Sequence, residues 1–193
     1  MSGITGTQVE QLYSLPAAIT KNTYTTEAAF TGVAGTNTLC TLPGNWLLND
    51  VPNPVGRTLK LEVEGTIGQT ASATFAVNLG HDTAAGTKVN SLAVMAATTP
   101  PLAGTAPFHF YAYYTVTAFA TTTFSVQVNG RWIMESVASG GVASASSLAV
   151  GFQGLITGLV PTTTYFIELF GTWSASSASN TTTINQMNLF GNC

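Results

Sequence analysis

Over residues 59–63 and again over 75–79, apolar side chains fall at every second position, a spacing that admits a half-buried strand and excludes a helix. Leu59, Leu61 and Val63 point one way and Lys60, Glu62 and Glu64 the other. Phe75, Val77 and Leu79 alternate in the same way with Thr74, Ala76 and Asn78. Residues 56–82 therefore read as two long strands around the Gly-bearing loop GTIGQTAS, a predicted hairpin in which the second strand lies beside the first. The loop is longer than a two-residue turn, so the register stays open.

The rest of the chain repeats this grammar. In residues 108–119, FHFYAYYTVTAF, strict alternation puts Phe108, Phe110, Ala112, Tyr114, Val116 and Ala118 on a core face. His109, Tyr111, Tyr113, Thr115, Thr117 and Phe119 share the amphipathic face. Residues 122–135 predict a hairpin turning at Asn129-Gly130, a dipeptide favoured in type I′ turns, with Trp132 and Met134 continuing the inward pattern. LAVGFQGLITGL at 148–159 reads as strand, turn and strand, and TTTYFIELFGTWS as one strong strand. Ile184, Met187, Leu189 and Phe190 define a last strand with an irregularity near Met187. Shorter β-prone runs occupy 23–30, 37–43 and 91–97, and a Pro-rich connection at 43–56 is anchored by Trp46. No segment carries a helical stripe.

Many short strands with regular turns predict an all-β antiparallel β-sandwich. The strand number exceeds the seven of an immunoglobulin domain and the Cys–Trp–Cys spacing is absent, so a jelly roll is expected. The expected layout is an extended N-terminal arm, 1–23, carrying Val9, Leu12, Tyr13, Leu15 and Ile19, followed by a single domain, 24–193. Leu61, Val63, Phe75, Val77, Phe124, Val126, Trp132, Phe166 and Leu169 are the expected core.

Charged residues make up only 7% of the chain, so the surface must be built from Thr, Ser, Asn, Gly and Ala. Such a surface resists self-association weakly and predicts a homo-oligomer. The five cations, Lys21, Arg57, Lys60, Lys88 and Arg131, are scattered, so no basic patch is offered to nucleic acid. The first residues, MSGITGTQVEQ, lack the pattern of a secretory signal, and no apolar run reaches membrane-spanning length. A soluble chain made in the cytosol, with no membrane partner, is the expectation. Cys40 and Cys193 show no metal-ligand spacing; Cys40 reads as a buried small hydrophobe and Cys193 as a terminal thiol.

Candidates for chemistry are few. His81-Asp82 is half of a metal or acid–base pair, in a predicted loop with no partner placed by pattern. His109 lies on a strand between two phenylalanines. Glu62 and Glu64 share a face, but Lys60 on that face makes a solvated charge ladder the better reading. No nucleophile elbow, HExxH, Walker or GxGxxG motif is present, which predicts no enzyme, no cofactor and no metal. The sequon Asn180-Thr181-Thr182 has no secretory context to give it meaning. Tyr111 and Tyr113 on the amphipathic strand, with Leu12 and Tyr13 of the arm, are the candidate interface residues.

The closing stretch FIELFGTWSASSASNTTTINQMNL resembles the last strands of jelly-roll structural proteins of tailed bacteriophages, with Trp173, Ser174, Ala175, Ser176, Ala178, Ser179, Asn180 and Thr181 in the pattern. The 56–80 stretch and the GRWIMES strand resemble the same family. The resemblance implies a virion structural protein, commonly trimeric, on the outside of the particle. It implies a capsid decoration protein whose arm docks on the major capsid protein or another virion protein. The alternative is a tail or head-fibre module binding a host surface glycan or protein.

Overall fold

The computed structural model describes residues 9–22, 24–32, 39–42, 54–69, 73–88, 90–99, 104–135 and 147–192. Within them the chain forms twelve strands: β1 Val9–Ser14, β2 Ile19–Asn22, β3 Ala28–Ala29, β4 Cys40–Leu42, β5 Thr58–Gln69, β6 Phe75–Asp82, β7 Ser91–Thr98, β8 Gly104–Phe119, β9 Phe124–Met134, β10 Leu148–Leu159, β11 Tyr165–Trp173 and β12 Thr181–Asn192. No helix occurs among the described residues.

The strands make two antiparallel sheets. The larger runs β1-β12-β5-β8-β9-β10 with β2 also on β12, and the smaller runs β3-β11-β6-β7 with β4 also on β11. Going from β5 to β6, from β7 to β8 and from β11 to β12, the chain changes sheet each time. This is the strand order of a jelly roll, to which β9 and β10 add two strands at one side of the larger sheet. The sequence expectation of a jelly-roll sandwich is thus met.

Leu59, Leu61 and Val63 of β5 and Phe75, Val77 and Leu79 of β6 are all fully buried. The expected hairpin between them does not form, because the two strands lie in opposite sheets and their apolar faces meet across the core. Alternation specifies which face is buried but not which strand supplies the hydrogen bonds. β5 takes those from β12 and β8, and β6 from β11 and β7.

Asn129-Gly130 is not a turn either. β9 runs straight through it, with Gly130 opposite Ala112 on one side and Phe152 on the other. A Cβ there would meet the Tyr111 carbonyl oxygen and stand 2.6 Å from the Phe152 ring. The glycine is required by a ring laid over the strand, and pairing on both sides overrides the turn propensity. Residues 148–159 are likewise one strand, whose register shifts near Gly158, at φ 72°. Phe166 is half-buried rather than core, because Tyr165, Ile167, Leu169 and Trp173 hold the inward positions of β11. Ala118 is exposed, since the β8–β9 register slips after Val116. Trp46 lies outside the described residues.

Of the expected arm, β1 and β2 lie along β12 of the domain itself. Leu12 and Tyr13 pack against the core. On the far side of the larger sheet β10 is an edge. Its sequence, LAVGFQGLITGL, has no charge and no proline, and no described strand pairs with its outer side. Leu155 on this strand is 53% exposed.

Leu61→Ala is expected to cost about 2–5 kcal/mol, the range for a fully buried leucine. Gly130→Ala is expected to cost about 1–3 kcal/mol through overpacking beneath Phe152, whereas a glycine in an exposed turn would show far less. Urea denaturation of both variants measures these losses.

Candidate functional site: the outer face of the larger sheet

The sequence candidates divide into those the fold seals and those it displays. His81 and Asp82 end β6 and are buried, contrary to the loop expected for them. The His81 ring lies between the sheets, with Nε2 2.8 Å from the Tyr114 hydroxyl. Burial pushes its pKa down to about 4, against a hydrogen bond donated to the Asn90 backbone that works the other way. Asp82 accepts a hydrogen bond from the Asn90 amide at 3.2 Å, and Glu168 accepts one from the Gly86 amide at 2.8 Å. Burial, and less strongly the charge of Asp82, raise the Glu168 pKa, while the Gly86 bond lowers it. These two carboxylates tie the loop between β6 and β7 to the smaller sheet. Cys40 is fully buried and its thiol is pushed well up by burial, so it is inert as a nucleophile. Among the described residues no cluster of His, Cys, Asp or Glu is arranged to hold a metal.

The displayed groups lie on the outer face of the larger sheet. Alternation along β8 sends Phe108, Phe110, Ala112, Tyr114 and Val116 into the core and leaves His109, Tyr111 and Tyr113 outside. Those three rings form a file, with centroids 5.7 Å apart from His109 to Tyr111 and 5.9 Å from Tyr111 to Tyr113. Of the two tyrosines Tyr113 is the more open, at 39% exposure, while Tyr111 is half-buried.

Register supplies a polar neighbour on each side of every tyrosine. Tyr111 stands between Glu62 of β5 and Arg131 of β9, and Tyr113 between Lys60 and Asn129. Lys60 forms an ion pair with Glu62, as the charge-ladder reading expects, and its ammonium lies 5.8 Å from the Tyr113 ring centroid. Its pKa is raised, chiefly by the hydrogen bond to Glu62. His109 stands 4.0 Å from Glu64. One step further out, Gly151 of β10 faces Arg131 and Gln153 faces Asn129.

Two hollows flank the file. One, of about 360 Å³, is bounded by Glu64, His109, Glu135 and Gln186 at one end of β8. The other, of about 460 Å³, is bounded by Asn129, Gly130, Gly151, Phe152 and Gln153, where β9 pairs with β10. The two tyrosine rings meet edge to face, at 72°, so the surface offers aromatic edges and faces in turn, with carboxylate, guanidinium and amide groups beside them for directional hydrogen bonds.

Two of the four sequence-picked residues, Tyr111 and Tyr113, are thus central to this face, while Leu12 and Tyr13 are engaged with their own core. The contributions of Asn129, Arg131 and Gln153 escaped the sequence reading, because a turn placed at Asn129-Gly130 removes β9 from beside the tyrosines. The period-two run from Phe124 through Met134 was the signal that could have restored them.

His81 makes stability depend on pH. Its folded pKa lies below the ordinary 6.5, so the unfolded chain binds the proton first as pH falls. The stabilisation is complete above about pH 6.5 and is lost as pH falls toward about 4, with a total near 3 kcal/mol. Glu168, whose pKa is raised, works in the opposite sense and becomes less unfavourable on acidification. Denaturation midpoints from pH 7 to 4 are expected to fall more steeply for the native protein than for His81→Gln.

No protein-family model matches the chain, and no curated protein matches it. Among solved structures it is similar to the CBM2 module of the evolved Dit of Lactobacillus casei BL23 phage J-1, at 10% sequence identity and a TM-score of 0.33 over 96% of this chain and 97% of that one.

Proposed function

We propose that the chain is a non-catalytic structural protein of a tailed-bacteriophage virion, displayed on the outer surface of the capsid as a decoration protein. The phage assignment rests on the sequence resemblance of residues 56–80, 130–136 and 166–189. The observation that carries the structural role is the division between sealed and displayed groups. His81, Asp82, Glu168 and Cys40 are all turned to holding the fold, while the surface presents an uncharged edge strand and a broad polar sheet face.

The subunits assemble into a closed homo-oligomer, a trimer, and adhere to the major capsid protein. With 7% charged residues, little electrostatic repulsion opposes contact between copies, and closed symmetry prevents open-ended growth. β10 is the surface offered for that contact. A long, uncharged, proline-free edge invites strand pairing, and soluble proteins ordinarily block such edges. A second reading, a tail or head-fibre module that binds a host glycan, is favoured by the file of rings on β8.

Quantitative mass spectrometry of purified particles separates the two readings, since a decoration protein is expected at a copy number on the scale of the capsid lattice and a tail module at a handful. Light scattering on the isolated protein is expected to give three times the subunit mass. Leu155→Lys, which places a charge on the exposed side of β10, is expected to shift it toward the monomer. A native protein that is monomeric at micromolar concentration ends the trimer assignment.

A further inference from the structure

We infer that the outer face of the larger sheet binds an extended glycan, laid obliquely across β8 from the hollow at Glu64 and His109, over Tyr111, to the hollow at Asn129 and Gln153. The inference rests on the exterior placement proposed above, and deepens its second reading by assigning the site.

The argument is one of chemical fit. A sugar ring has an apolar face of C–H groups and a rim of hydroxyls. It therefore needs an aromatic ring under the face and planar, directional donors and acceptors around the rim. That arrangement is present here, with Tyr111 between Glu62 and Arg131 and Tyr113 between Lys60 and Asn129. Residues two apart on a strand repeat at about 6.6 Å, so β8 presents its rings as a row under a chain-like ligand rather than as one closed pocket. At Gly151, the position beside Arg131, a Cβ would meet nothing nearer than a carbonyl oxygen at 4.0 Å, so the second hollow stays open for a further sugar unit.

The other macromolecular occupants fit less well. A protein interface is depleted of charge at its centre, whereas Lys60, Glu62 and Arg131 stand directly beside the rings and would have to be stripped of water. A hydroxylated ligand satisfies the same groups without removing them from a wet surface. A nucleic acid requires a cationic track, and Glu62 and Glu64 oppose one. The rings are pre-positioned on a strand paired on both sides, which limits the ordering cost of binding.

The test uses the full-length protein on a printed array of bacterial surface polysaccharides, with saturation-transfer NMR on the soluble form of any polysaccharide retained. Native protein is expected to bind at least one, with saturation reaching the sugar C–H protons. Tyr111→Ala and Arg131→Ala are each expected to weaken binding by about tenfold or more, and Tyr113→Phe, which keeps the ring, to retain it. Thermal melts check that every variant is folded, as expected for side chains displayed outside the core. No retention of the native protein anywhere on the array overturns the inference, as does binding that survives Tyr111→Ala together with Tyr113→Ala. A change from oligomer to monomer in that double variant also overturns it, because the rings would then belong to a subunit contact. Copy number per particle is measured separately, so a misplaced virion assignment and an absent glycan site fail independently.

Discussion

The contact on which the rest of the molecule depends is the one between Phe75 and Trp132. Phe75 projects from the smaller sheet and Trp132 from the larger, with ring centroids 6.5 Å apart and both side chains fully buried. Around them the cluster continues to Trp173 at 4.5 Å from Phe75, and to Phe108, stacked on Trp132 at 4.4 Å. Aromatic side chains bury more area than any others, so this cluster supplies a large share of the force that holds the two sheets face to face. It also decides which way each strand faces. Once Leu61, Phe108 and Trp132 point inward, period-two geometry sends Lys60, Glu62, Tyr111 and Arg131 outward.

The outer face is therefore a consequence of the core. Tyr114 is turned inward to meet His81, whereas Tyr113, one residue away, is turned to solvent. The same residue type thus does two kinds of work on one strand, and only the side of the pleat distinguishes them. The sealed tyrosine holds its hydroxyl against His81, the group whose burial makes stability depend on pH. The displayed one keeps a ring face and a hydroxyl available to a partner.

The two edges of the larger sheet are treated differently. On one side β1 and β2 both lie along β12, so the N-terminal segment covers what would otherwise be an unpaired strand. On the other side β10 carries neither charge nor proline. Its inward residues Leu148, Val150 and Phe152 are only partly buried against the core, and Gly154 lets Leu92 of β7 approach closely.

Alternation at residues 59–63, 75–79 and 108–116, together with the lack of any helical stripe, was sufficient for the sequence to determine the all-β class, the jelly-roll expectation and every expected core residue but Phe166, because a strand's burial pattern is written in its own residues. The pairing of Tyr111 and Tyr113 on one face was legible for the same reason. Partner strands were not legible, because hydrogen-bond partners are chosen by the whole sheet. β5 and β6 show the same alternation whether they lie side by side or in opposite layers. Asn129-Gly130 was misread because turn propensity is local, while the reason for Gly130 is a ring from β10 laid across it. Phe166 was misplaced because both of its neighbours, Tyr165 and Ile167, are also apolar, and only the packed core decides which parity points inward. The tertiary structure alone brought Asn129, Arg131 and Gln153 beside the tyrosines, since that requires three strands in one register, and register is a property of the assembled sheet.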